Sequence, residues 1–264
     1  MANFRFLLAA LAYTPTATST DSLYPVTNLY DYTHLFRPWK AQVASGIVNV
    51  TLDFGAGNTL SALAADPGLF LDDLNVTSLR IQGNSVTTDW VTPPWDQAIT
   101  VAKHEGAGRY KHFVRLADLS AAAFAYRYLN IRILSQTPTD ALAYRIGRAW
   151  PGTVTELSVN PGYDSELTIE EHVIETEFIG SASESNSMGE PYALLTLPRI
   201  LPSTAARDQH WVIDAIGKGV PFVMWDASEG GTQDGWILKR IEASRMRKEF
   251  NAYYKSGWAF REVI

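Results

Sequence analysis

Trp90 and Trp95 bracket Thr92-Pro93-Pro94, with Asp89 and Asp96 immediately outside and beyond them. Of the whole chain, this stretch has the residue types best suited to recognition chemistry. An indole face can cover a sugar ring or fill a partner's pocket. Carboxylates accept hydrogen bonds from sugar hydroxyls. Prolines restrict a loop, so less entropy is lost when it binds. Trp90, Trp95, Asp89 and Asp96 are therefore the candidate recognition residues. The alternative is that both indoles fold back and cap a core, as large aromatics usually do.

Catalytic and metal chemistry find less support. The five histidines are His34, His104, His112, His172 and His210, and no two have the spacing of a zinc helix. Glu171-His172 reads as a solvated strand face, because one histidine and its flanking acids do not complete a coordination shell. The adjacent acids Asp72-Asp73 and Glu170-Glu171 would point to opposite faces of a strand and cannot cooperate there. Gly55-Ala56-Gly57 lacks the third glycine and the following helix of a dinucleotide loop. There is no Gly-x-Ser-x-Gly elbow. The sequence thus points to no catalytic residue, no metal, no cofactor and no enzyme. The sequons at Asn49 and Asn75 read as polar strand faces.

The elements that must hold the candidate loop are strands. Val48, Val50, Leu52 and Phe54 alternate with Asn49, Thr51 and Asp53, which is period two with one apolar face. Leu79 and Ile81 alternate with Arg80 and Gln82, and Leu129, Ile131 and Ile133 with Asn130 and Arg132. Gly55 and Gly83-Asn84 read as turns closing the first two runs. Arg5 followed by the apolar residues 6–12 reads as a first core strand, with a short signal peptide as the alternative. One amphipathic helix is expected over residues 203–216, with Trp211, Val212, Ala215 and Ile216 on its apolar face. Residues 181–189 read as a loop or hairpin tip. Strands resume at 220–225, at 236–238 and at 258–263.

The 264 residues are 46% hydrophobic and 19% charged, ample for a core, and contain no cysteine. Disulfide frameworks and thiolate metal sites are excluded. A net charge of −6 excludes a protein-wide attraction to phosphate backbones, so no nucleic-acid partner is expected. No apolar run approaches the roughly 20 residues of a membrane span, so no membrane insertion is expected. Short strands with Gly- and Pro-rich punctuation make the fold class all-β: a sandwich over residues 1–147, then a β-rich domain over 148–264 carrying the one helix.

Three segments resemble a known family. Leu23-Tyr24-Pro25-Val26-Thr27-Asn28-Leu29 followed by Arg37-Pro38-Trp39-Lys40 is similar to the opening of discoidin-like, galactose-binding-type jelly rolls. Residues 48–55 and 76–84 look like their next core strands, and 128–134 like a late one. The likeness covers residues 20–135. The chain departs from glycan-binding members in lacking their paired cysteines. Extended by a second β-rich part, the pattern resembles distal-tail proteins at the tail tip of long-tailed bacteriophages; Tyr144-Arg145-Ile146-Gly147, residues 220–226 and residues 258–264 carry that likeness. The resemblance implies a structural virion component folded in the host cytoplasm. It implies a ring of copies of this chain that joins the tail tube to the hub, fibres or receptor-binding parts. The jelly roll would face a host glycan or anchor fibres. Residues 150–264, with the Gly-rich stretch 226–235 and the Lys- and Arg-bearing stretch 239–255, would carry the assembly contacts. A carbohydrate-binding module of a secreted or cell-surface protein is the alternative.

Overall fold

The computed structural model describes residues 4–8, 11–30, 39–42, 46–56, 62–66, 76–87, 89–99, 114–118, 124–135, 145–158, 166–170, 173–177, 183–187, 192–201, 210–211, 220–226, 234–241, 247–250 and 253–262. His34, His104, His112, His172, Asp72, Asp73, Glu171 and Asn75 lie outside them, as does most of the expected helix.

The chain is all-β, and its described residues form twenty strands. Contacts divide it into two compact units. One holds residues 6–155 with 229–236, and the other holds 1–5, 156–228 and 237–264. Strand β1 (Phe4–Leu7) opens the chain, with Phe6 and Leu7 fully buried.

The first unit is an antiparallel sandwich. Its elements are β2 (Thr14–Ala17), a 3-10 turn (Val26–Leu29), β3 (Trp39–Lys40), β4 (Gly46–Asp53), β5 (Ala62–Asp66), β6 (Val76–Asn84), β7 (Trp95–Ile99), β8 (Val114–Asp118), β9 (Tyr128–Ser135), β10 (Arg145–Ile146), β11 (Arg148–Gly152) and β12 (Val154–Glu156). A five-stranded sheet runs β2-β4-β9-β6-β7. A second sheet runs β11-β5-β8, with Asp234 and Gly235 pairing β8. The short ladder of β3 and β10 pairs Trp39 with Ile146.

Alternation decides which residues face the core. Val48, Val50 and Leu52 of β4 lie in register with Ile133, Ile131 and Leu129 of β9. Leu79 and Ile81 of β6 continue the same rows. All eight are buried and form one cluster with Leu29, Trp39, Trp95, Phe124, Ile146 and Ala149. Each such side chain contributes about 1.5–3 kcal/mol when buried. The segment before β3 is tied to the same core. Tyr13 Oη lies 2.9 Å from the carbonyls of both Leu29 and Ala149. The buried Arg148 donates to Asn28 O at 2.9 Å.

The second unit is built on long strands. They are β13 (Glu166–Glu170), β14 (Val173–Glu177), β15 (Ser183–Ser187), β16 (Tyr192–Leu201), β17 (Pro221–Asp226), β18 (Asp234–Arg240, whose first three residues belong to the first unit), β19 (Arg247–Phe250) and β20 (Tyr253–Glu262). β16 pairs with β13 and β20, and β20 also pairs with β19 and with the end of β18. Ser183–Ser187, expected as a loop or hairpin tip, is instead a strand paired with β14 over five residue pairs. Polar composition alone does not prevent pairing when a neighbouring strand meets the backbone groups.

Of the expected helix over residues 203–216, only His210 and Trp211 are described, and both are helical. Their roles are the reverse of the sequence reading. Trp211 is 53% exposed, whereas His210 is fully buried. His210 stacks on Trp258 with centroids 4.3 Å apart and planes 9° apart, and Trp258 stacks in turn on Phe260. The flat imidazole meets the indole face, and Trp211 is left at the rim.

Gly83, read as part of a turn, belongs to β6 opposite Leu129 and Trp95. A Cβ there would lie 2.5 Å from Phe124 Cε2 and 2.6 Å from Tyr126 Cδ2. Phe124 packs edge-on against both Trp95 and Tyr126. Gly83→Ala should therefore destabilise the sandwich by about 1–3 kcal/mol through overpacking. Denaturant unfolding measures it, and a cost near zero would mean the rings move freely.

Candidate functional site

The outer face of the five-stranded sheet is polar, and the candidate loop leans on it. Thr51, Asn130 and Gln82 occupy one cross-strand row. Asn130 Nδ2 donates to Asn49 Oδ1 at 2.9 Å and to Gln82 Oε1 at 3.0 Å. Its Oδ1 accepts from Thr51 Oγ1 at 3.3 Å. Gln82 Nε2 then donates to the carbonyl of Trp90 at 3.3 Å. One residue pair further on, Asn84 Nδ2 donates to the carbonyl of Asp89 at 2.8 Å, and Asn84 Oδ1 accepts from Val86 N. Gln82, Asn84 and Asn130 are buried although they lie on the side away from the core.

Asp89 closes the loop. Its Oδ1 accepts from the amides of Val91 and Thr92 at 3.0 and 3.1 Å, and its Oδ2 from the Thr92 hydroxyl at 3.0 Å. A carboxylate that takes up its neighbours' amides in this way defines an Asx turn. The Thr92 amide, then the Val91 amide and the Thr92 hydroxyl, hold the Asp89 carboxyl below the ordinary carboxylate range. The loop thereby presents Val91 at 85% exposure, Val86 and Pro94 exposed, and Trp90 half-buried.

The four candidate recognition residues have separate placements. Trp95, on β7, is 8% exposed and packs edge-on on Phe124 at 5.3 Å, so its indole belongs to the core. Asp96 follows it on the opposite face and accepts from Arg80 Nε at 2.8 and 3.0 Å. Asp89 holds the loop. Trp90 is the candidate whose side chain remains partly at the surface. No sequence pattern points directly to Arg127 and Tyr128 as site residues. Arg127 forms a two-pronged ion pair with Asp53 at 2.8 and 2.9 Å and lies 4.8 Å over the Tyr128 ring. Arg127, with help from the Gly55 amide and against the effect of burial, lowers the Asp53 carboxyl below its usual range. Gly55 has φ of 75°, as the expected turn requires. Asn49 sits inside β4 with its side chain bonded to Asn130, in keeping with a polar strand face.

Among the described residues no group of three or more His, Cys, Asp or Glu could hold a metal ion, and no helix is long and apolar enough to cross a membrane.

No family model matches the chain. No curated protein matches it either. Solved structures similar to it include a chitosan-binding module from Paenibacillus sp. IK-5, at 15% identity over 55% of this chain and 96% of that one, TM-score 0.39. Another is the family 32 carbohydrate-binding module of NanJ from C. perfringens in complex with galactose, at 13% identity over 56% and 98%, TM-score 0.38. A third is a Ruminococcus gnavus fucosidase in complex with fucose, at 11% identity over 57% of this chain and 27% of that one, TM-score 0.42. With TM-scores below 0.5, the function has to be argued from this chain's own residues.

The Asp89 turn has a testable pH dependence. A carboxyl whose folded pKa lies below its unfolded value stabilises the fold at pH values above the unfolded one. That contribution disappears as pH falls through the folded value. The amide resonances of Val91 and Thr92 should therefore hold their positions on acidification until below the ordinary aspartate value of 3.8 and then move together. Amide NMR across an acid titration reads this. A midpoint at or above 3.8 would show that the turn does not depend on the ionised carboxylate.

Proposed function

We propose that this chain is a non-catalytic attachment protein whose sandwich recognises carbohydrate. The observation that carries the reading is the rigid loop. Three hydrogen bonds to the Asp89 carboxylate, and one each from Asn84 and Gln82, hold Trp90 and Val91 beside a polar sheet face. A loop ordered before binding loses little entropy on contact. A partly exposed indole on a loop tied to polar strands combines an apolar surface for a sugar ring with nearby hydrogen-bonding groups.

The sequence resemblance supports a phage tail tip, with the β-rich second unit making the assembly contacts and the protein residing in the virion. That version rests on the resemblance alone, and gold-labelled antibody against the chain on intact particles tests it directly. Label along the tail tip supports it. Particles without label leave a carbohydrate-binding module of a secreted or cell-surface protein.

For recognition, Trp90→Ala combined with Val91→Ser should leave thermal unfolding nearly unchanged, because neither side chain is in the core. It should weaken binding to immobilised glycans by about tenfold or more, the scale of a lost aromatic stack and its apolar neighbour. Glycan binding by the double variant equal to that of the parent chain would remove this loop from the site.

A further inference from the structure

On the outer face of the five-stranded sheet, the row next to Thr51–Asn130–Gln82 consists of Asn49 on β4, Arg132 on β9 and Arg80 on β6. Arg80 and Arg132 are directly opposite each other, and all three side chains are partly exposed. Directly opposed side chains in an antiparallel pair have Cβ atoms about 4.5–5.5 Å apart, and like charges there repel. A carboxylate placed between them would remove the repulsion. The one nearby, Asp96, is already bound to Arg80. Among the described residues, the other carboxylate on the strands of this face, Asp53, is bound to Arg127. Arg132 has no carboxylate partner among the described residues. In a chain with net charge −6, a guanidinium set opposite another, with no carboxylate on it among the described residues, is a local conflict of the kind found at functional sites.

We infer that Arg132, with Asn49 beside it, seats the carboxylate of an acidic sugar. This rests on the carbohydrate reading above and names the class of glycan. A guanidinium presents paired donors that match a carboxylate. Arg132 is diagonal to Gln82, so the two residues are about 7–8 Å apart. Gln82 is the residue that holds the Trp90 carbonyl. One ligand lying across the face can therefore reach both Trp90 and Arg132. Ile47 and Leu134, paired in the next row, add an apolar step on the same face for the C–H side of a ring. The seat differs from the residues singled out by sequence, since Asp96 is taken up by Arg80 and Asp89 by its own loop, and neither can donate to a carboxylate.

Isothermal titration calorimetry on the full chain tests the inference with three probes: a galacturonate tetrasaccharide, the neutral galactose tetrasaccharide and sodium sulfate. The acidic tetrasaccharide should bind more tightly than the neutral one. Arg132→Gln should lower its affinity about tenfold or more, the scale of a lost hydrogen bond between charged groups. Arg132→Lys should retain part of the affinity, and Arg5→Gln, which removes the same charge from the ion pair with Glu156, should retain all of it. Arg132→Gln should also unfold no more easily than the parent, because it relieves a repulsion. Unfolding at lower temperature would make Arg132 structural and overturn the inference. Equal binding of the acidic and neutral tetrasaccharides, unchanged by Arg132→Gln, would overturn it while leaving the carbohydrate reading standing. Binding of neither would overturn both. Sulfate binding as tightly as the acidic tetrasaccharide would reduce the seat to a site for free anions and overturn the inference as well.

Discussion

Asn130 makes three hydrogen bonds on a sheet face where a slip of register would leave none of them intact. Its amide NH2 uses both protons, on Asn49 and Gln82, and its oxygen accepts from Thr51. Asn130 and Gln82 are buried, so an unmade bond there would cost about 1–3 kcal/mol. Moving one strand by a residue would exchange the two faces of that strand. A slip of β9 would turn Leu129, Ile131 and Ile133 outward and send Asn130 into the core. The apolar rows and the amide row therefore demand the same register, and the other features follow from it. Gly83 comes opposite Leu129 and leaves room for Phe124 and Tyr126. Asn84 comes within reach of the Asp89 carbonyl. Arg80 and Arg132 come face to face.

The three strands of this register were legible in the sequence because one side of each is wholly apolar. Val48, Val50 and Leu52, Leu79 and Ile81, and Leu129, Ile131 and Ile133 are buried as their alternation implies. What alternation does not reveal is which distant residue fills the space above a given position. Trp95 looks like half of an exposed pair until Phe124, 29 positions later, packs edge-on against it. Asp96 looks like a free acceptor until strand pairing brings Arg80 alongside. His210 looks like a polar position on a helix until Trp258 stacks on it. In each case the deciding partner is remote in the chain, so no local pattern could supply it. Asp89 is different. Its partners are only two and three residues on, and Asp followed by Val91 and Thr92 is turn chemistry that could have been read directly.

The same saturation that stiffens the loop limits what the loop can read. Both oxygens of Asp89 are engaged by its own neighbours, and Asp96 is engaged by Arg80. Asn84 and Gln82 spend their donors on the loop carbonyls. A group that must hold the scaffold together cannot exchange that bond for a ligand without loosening the scaffold, so these residues supply shape rather than discrimination. Discrimination has to come from groups left over once the scaffold is satisfied. Among the described residues of this face those include the surfaces of Trp90 and Val91, which are apolar and indifferent to charge, and the guanidinium of Arg132, which is not. A ligand distinguished by an aromatic stack alone would be read loosely, since many sugars offer a similar C–H face. Adding a charged contact about 7–8 Å from Gln82, which donates to the Trp90 carbonyl, makes the reading depend on where the ligand's own charge lies.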